Sequence, residues 1–254
     1  MSWTTVAFAE QRTDTEAITL NGVQDETHKV AGDDIYIGKW NLLIGAWAHS
    51  LSMQRPYLIS PSLRRFSRIY IYPKSLPGEG GRMFRYFDNR FHCPVPLDVG
   101  EALNAHDEAN AFHAAELDII GVWLADAPPS PVTGEIHTIM ADSTSDTTFV
   151  KGVWKNHELT FTPDLPSGKY RVVGGFFYGI YAGLWRLNFR DVPQRPGGVI
   201  GLETNLIGEE IFRLGKMGIW GEFDHTLPPS LDICMKVGAA DTKFHGVLDL
   251  LKIA

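Results

Sequence analysis

Internal repetition constrains a fold more than any single motif, and in this chain Val199 to Ala240 reads as a second copy of Val95 to Asp142. In the first copy a helical segment, Asp98 to Glu116, leads into LDIIGVWLADA, then Pro128-Pro129-Ser130, then VTGEIHTIMAD. In the second, Asn205 to Leu214 leads into KMGIWGEFDHTL, then Pro228-Pro229-Ser230, then LDICMKVGAAD. Gly121-Val122-Trp123 matches Gly218-Ile219-Trp220 at a slightly different offset, as loop-length drift after a tandem duplication would leave it. A second echo keeps the same order. Gly45 and Ala48 precede Gln54-Arg55-Pro56, and Gly179 and Ala182 precede Gln194-Arg195-Pro196.

The units so repeated read as mostly β. Gly 25 and Pro 15 punctuate runs rich in Val, Ile and aromatic residues, such as IYIGKW, LLIGAWAHSLSM, RFSRIYIY and KYRVVGGFFYGIYAGLWRLNF. Two helices interrupt them. Asp98 with Glu101 resembles a capping box, and Val99, Leu103, Ala109 and Phe112 recur at roughly helical spacing. In the second copy Asn205 is the N-cap, Ile207, Ile211 and Leu214 form the stripe, and Gly215 is the stop. Residues 1–33 are polar and lack a sustained period, so they read as an N-terminal arm, with an edge strand as the alternative. The expected organisation is an arm over 1–33, a first sandwich over 34–143 and a second over 144–254, parted near the DSTSD stretch at 142–146.

Charge and side-chain chemistry exclude several functions. The net charge of −7 is opposite to what a phosphate-neutralising surface needs, so sequence-specific nucleic-acid binding is not expected. Arg64, Arg65, Arg68, Arg82, Arg85 and Arg90 form the one basic concentration; ion pairing between subunits is favoured there over phosphate contact. Cys93 and Cys234 sit at non-equivalent places and read as buried thiols. His106 and His113, on one face of the expected helix, are too far apart to share a metal without a third element. Neither Asp107-Glu108 nor Glu209-Glu210 makes a catalytic pair, since adjacent helical residues point apart. No HExxH, Cys-x-x-Cys, Gly-x-Ser-x-Gly or Walker loop occurs. The expected catalytic, cofactor-binding and metal residues are therefore none, no cofactor is expected, and the chain is not read as an enzyme. The start MSWTTVAFAEQRTDTEA lacks the basic and apolar regions of a signal peptide, and no window approaches the length of a spanning helix, so synthesis in a host cytoplasm is expected.

Two successive sandwiches, each eight-stranded with one short inserted helix, resemble the double jelly-roll major capsid proteins of tailless icosahedral viruses with internal membranes. The core of Leu184 to Val199, WRLNFRDVPQRPGGV, is similar to an arginine, aromatic, Arg-Pro-Gly stretch of some bacteriophage members. That resemblance implies a structural protein that associates with itself as a homotrimer, giving a pseudo-hexameric block that meets neighbouring capsomers in an icosahedral virion shell. It also implies minor capsid or vertex proteins as partners, with an internal lipid membrane as a further candidate. Two other readings stand beside it. A sandwich that binds carbohydrate or a receptor would use Trp47, Trp123 or Trp185 as a sugar platform. An enzyme on a double barrel would need a His-x-His cluster with a following Glu, which neither copy has.

Overall fold

The structure is a computed structural model and describes residues 3–11, 16–24, 28–50, 55–62, 69–73, 82–86, 94–107, 117–128, 133–144, 149–150, 153–179, 183–190, 198–202, 221–235 and 243–253. Among these every regular element is a β-strand, as the β-branched and aromatic runs demand. The chain divides into two compact units of nearly equal length, Thr4–Pro128 and one built from Pro129–Ala254. The expected boundary at 143/144 thus moves upstream, because Ile136–Ser143 pairs with the last strand of the chain and belongs to the second unit.

The first unit begins with β1 (Trp3–Gln11), β2 (Ile18–Gly22), β3 (Lys29–Ala31), β4 (Asp34–Tyr36), β5 (Leu42–Ser50) and β6 (Pro56–Ile59). It continues with β7 (Ile69–Tyr70), β8 (Tyr72–Pro73), β9 (Arg82–Tyr86), β10 (Val95–Pro96), β11 (Ala102–Asp107) and β12 (Leu117–Ala125). The second contains β13 (Ile136–Ser143), β14 (Lys155–His157), β15 (Leu159–Thr162), β16 (Lys169–Gly179) and β17 (Gly183–Asn188). It ends with β18 (Gly198–Leu202), β19 (Gly221–Asp224), β20 (Ser230–Met235) and β21 (His245–Lys252).

Strand pairing repeats from one unit to the other. The first has the runs β1-β12-β5-β9 and β2-β11-β6-β7, and the second has β13-β21-β16-β19 and β14-β20-β17-β18. In each, the first strand lies beside the last, the wrapping of jelly-roll sandwiches. The second strand bends between the two runs in both units. Residues 18–20 of β2 pair with β11 while Asn21 and Gly22 pair with β1; β14 pairs with β20 while β15, after Glu158, pairs with β13. The third strand of each run carries an extra residue at the same place. Ile44 of β5 is unmatched between Gly45↔Trp123 and Leu43↔Leu124, and Val173 of β16 between Gly174↔Asp249 and Val172↔Leu250. Such a bulge adds local twist, which a sheet curving around a core requires.

In the first unit the core lies between the two runs. Val6, Phe8, Ala46, Ala48, Ile120, Val122 and Leu124 face Leu20, Leu58, Leu103 and Ala105, all buried. In the second, Phe177 of β16 meets Trp185 of β17 at a ring separation of 4.7 Å across the same kind of interior.

Two expectations change here. Residues 1–33 were expected as an arm, yet β1 lies between β2 and β12 and contributes Val6 and Phe8 to the core. Residues 4–8 are all buried and 9–11 half-buried, with no alternation to mark a strand, and the strands that flank it come from residues 18–22 and 117–125. The helix expected over 98–116 is replaced in its described part by the strand β11; residues 108–116 and the second expected helix at Asn205 to Leu214 lie outside the described residues. One capping bond does exist, Asp98 N–H donating to Glu101 Oε1 at 3.0 Å, beside a backbone turn bond in which Glu101 N–H donates to Asp98 O at 3.2 Å. They close a single turn, because Gly100 sits at φ +89° and Leu103, Ala105 and Asp107 then alternate inward with period two.

The Pro-Pro-Ser triplets also part company. Pro128 closes the first unit, whereas Pro228 and Pro229 join β19 to β20 inside the second. Gly121-Val122-Trp123 lies on the last strand of its unit, while Gly218-Ile219-Trp220 lies outside the described residues. The fold repeats, but not in the register that the triplets suggested.

Candidate functional site

Among the described residues, chemistry-bearing side chains do not converge. His106 is on a strand, its Nδ1 2.9 Å from Thr19 Oγ1 and its ring stacked on Tyr57 at 5.1 Å. Asp107 is buried and accepts the Arg55 N–H at 2.8 Å, a structural role at the start of β6. His113, Glu108, Glu209, Glu210 and Cys93 lie outside the described residues, and Cys234 is a buried thiol without a disulfide. No group of three or more His, Cys, Asp or Glu able to hold a metal occurs among the described residues. Of the six arginines singled out, Arg82 and Arg85 fall on β9 and the other four lie outside the described residues. No helix among the described residues is long and apolar enough to cross a membrane.

Tryptophan placement bears on the carbohydrate reading. Trp47, Trp123 and Trp185 are at most 1% exposed, so none of the three offers a ring face to a sugar. Trp47 and Trp123 instead meet each other at 5.1 Å on the face of the β1-β12-β5-β9 run that looks away from the sandwich interior. Gly121 lets them: a Cβ there would stand 2.0 Å from the Trp47 ring. Ala7 and Ile119 on the same face are also fully buried. Each indole removes roughly 150–250 Å² from water, on the order of 4–6 kcal/mol per ring at about 25 cal/mol per Å².

The matching face of the second unit is different. Along β13, Ile139, Ala141 and Ser143 turn inward, leaving Ile136, Thr138 and Met140 outward, with Ile136 39% and Met140 46% exposed. Across the strand boundary these meet Leu251, Asp249 and Val247 of β21. Thr138 Oγ1 donates to Asp249 Oδ1 at 2.7 Å, and further along the sheet Arg171 pairs with Glu222 at 2.5 Å. On the opposite face of the same sheet opens a cleft of about 370 Å³, whose walls include Ile139, Leu165, Tyr170 and Leu250.

On the other run of the second unit, Arg186 of β17 and Asp232 of β20 form an ion pair at 3.0 Å with both side chains under 10% exposed. Asn156 of β14 donates to the second carboxylate oxygen at 2.7 Å, and Trp154 lies 4.3 Å from the guanidinium, covering it. A buried pair so satisfied orders three neighbouring strands; breaking one partner leaves an uncompensated charge.

At the end of β19 a tight turn shapes one carboxylate. Asp224 Oδ1 accepts the N–H of Thr226 at 3.0 Å and its hydroxyl at 2.8 Å. These two bonds, the backbone one foremost, hold its pKa below 3.8, against a small opposing effect of desolvation. His225 Nδ1 lies 3.1 Å from the same oxygen but also accepts the Gly168 N–H at 3.2 Å.

No family profile matches the sequence, and no curated protein does either. Among solved structures, the chain is similar to the major capsid protein P2 from Bacteriophage PM2, with 9% identity, a TM-score of 0.28, and 100% of this chain against 98% of that one covered. The PBSX exported protein XepA gives 10% identity and a TM-score of 0.24 over 96% of this chain and 85% of its own. A chain from the atomic structure of Sulfolobus Turreted Icosahedral Virus gives 10% identity and a TM-score of 0.24 over 97% and 91%. Overlaps this loose define no family, and the functional reading rests on the strand pairing of the chain itself.

Proposed function

We propose that this chain is a shell-forming structural protein, a major capsid protein of two tandem eight-stranded jelly rolls that acts by self-association and performs no chemistry. The observation that carries the reading is the repeated pairing. Numbered within their own unit, with β3, β4, β8, β10 and the parallel β16–β18 contact set aside and β14 and β15 taken as one bent strand, both units read 1-8-3-6 against 2-7-4-5. Both also place a bulge in strand 3 opposite strand 8. Two such rolls in one chain make a block with twofold pseudo-repetition, and three blocks around a threefold axis make a ring of six similar lobes that tiles a hexagonal lattice. The ring would sit in a virion shell, with neighbouring capsomers and minor or vertex proteins as partners and an internal lipid layer as a candidate support.

A carbohydrate-binding role has less behind it, since the three tryptophans assigned to a platform are buried. Multi-angle light scattering at micromolar concentration, followed by electron microscopy of the purified protein, tests the proposal. Trimers and hexagonal or icosahedral assemblies are expected. A monodisperse monomer that forms no particles would overturn it.

A further inference from the structure

The connection between the second and third strands of the sandwich differs from one unit to the other. In the first unit it spans residues 23–41, carries β3 and β4, and contributes Ile35, Ile37 and Trp40 to the core. In the second it is reduced to residues 163–168, between β15 and β16. There Pro163, Leu165 and Pro166 form one wall of the cleft of about 370 Å³, and the inward sheet face at Ile139, Tyr170 and Leu250 forms the other. Where the first unit packs its own side chains, the second keeps a cleft.

We propose that this cleft binds a small zwitterion with an apolar body, of the class of a free α-amino acid with a large apolar side chain. The site lies within one unit and does not depend on shell formation. Its volume is that of a small-molecule site, and its walls call for an apolar body. The Tyr170 hydroxyl among them already donates to Pro166 O at 2.7 Å, so an apolar group that covers it strands no donor. The charges select the rest of the ligand. Each wall supplies one exposed ion, Lys252 from the sheet and Asp164 from the connection, and among the described residues neither side chain has an ion pair or a hydrogen bond. His137, the third ionisable side chain lining the cleft, lies 3.9 Å from Glu135. A purely anionic ligand would bring its charge toward Asp164, and a purely cationic one toward Lys252; a carboxylate for Lys252 and an ammonium for Asp164 satisfy both.

The test is an NMR titration of the full-length protein with phenylalanine, glycine, hydrocinnamate and phenethylamine, in wild type and in Lys252→Met and Asp164→Asn, two changes at exposed side chains that the fold does not need. Phenylalanine should move the amide resonances of Thr138, Leu165 and Tyr170, and glycine, which has both charges and no body, should not. Each substitution should weaken phenylalanine about five-fold, the upper end for an exposed ion pair. Hydrocinnamate, with only the carboxylate, should lose affinity in Lys252→Met alone, and phenethylamine, with only the ammonium, in Asp164→Asn alone. A wild type whose cleft resonances stay still, phenylalanine binding that neither substitution weakens, or glycine acting as strongly as phenylalanine would each overturn the proposal. Hydrocinnamate bound more tightly than phenylalanine would give the cleft to simple anions and overturn it as well. None of these outcomes bears on self-association, which light scattering reads separately.

Discussion

The β1-β12-β5-β9 run of the first unit and the β13-β21-β16-β19 run of the second share one pairing scheme and one bulge, yet they treat their outer faces in opposite ways. In the first, Trp47 and Trp123 meet at an angle of 44° beside Gly121 and nothing on that face of β12 reaches solvent. In the second, Asp249 stands beside the bulge where Trp123 stands in the first and accepts the Thr138 hydroxyl, and Ile136 and Met140 are left open. The comparison separates two jobs that a jelly-roll sheet performs. Pairing order and the inward residues define the sandwich; the outward residues are free to be buried, wetted or offered to a partner.

The largest effect should come from removing residues 1–33. These include β1 and β2, and β1 stands between β2 and β12, so their loss opens the first sandwich along both runs. Calorimetry should show the cooperative heat of unfolding fall by roughly half, since it scales with the residues that fold together. A truncated protein with the full transition would mean that these residues are dispensable after all.

Next in size is a pair of glycines, one from each unit. In Gly121→Ala the new Cβ meets three atoms of a rigid, fully buried indole between 2.0 and 2.3 Å away. In Gly175→Ala it meets the tip of Leu248 at 2.9 Å and the edge of Trp185 at 3.0 Å. Overpacking costs about 1–3 kcal/mol, while the stiffer unfolded chain returns only about 0.4–1 kcal/mol. Gly121→Ala should fall at or beyond the top of that range and Gly175→Ala near its bottom, read as denaturant midpoints. Equal costs would mean that the buried outer face is no more rigid than the second unit's interior.

The smallest effect concerns Asp224, at the end of an outer strand of the second unit. Its folded pKa is depressed, so whatever it contributes to stability is fully present above 3.8 and is lost as pH falls through the lowered value. Thr226→Val deletes the hydroxyl donor and keeps the N–H, and should move the Asp224 carboxyl part of the way back toward 3.8 in an NMR titration. No movement would leave the backbone N–H as the sole cause.

Much of this was legible in the order of residues. LDIIGVWLA is apolar but for Asp118, and β12 is buried on both faces; IHTIMADS breaks its apolar run with polar residues, and β13 is buried on one. A chain of strands in two similar halves could be read as well, though the triplets that suggested it are not equivalent positions. Legibility failed where a short strand had no local signature. Residues 3–11 show no period longer than their own length, and Asp98 with Glu101 makes the bonds of a helix start that Gly100 and the following alternation end within a turn.

Sequence by itself determined that this protein is built of strands, which runs are apolar on both sides and where its charges are surplus, because those properties depend on neighbours within a few residues. Only the tertiary structure decided which strand lies beside which. It put residues 3–11 against 117–125, set Trp47 on Trp123 and made Arg186 and Asp232 partners. Pairing of strands far apart in the chain is governed by register, closure and shape across the whole unit, and no local run of residues carries that information.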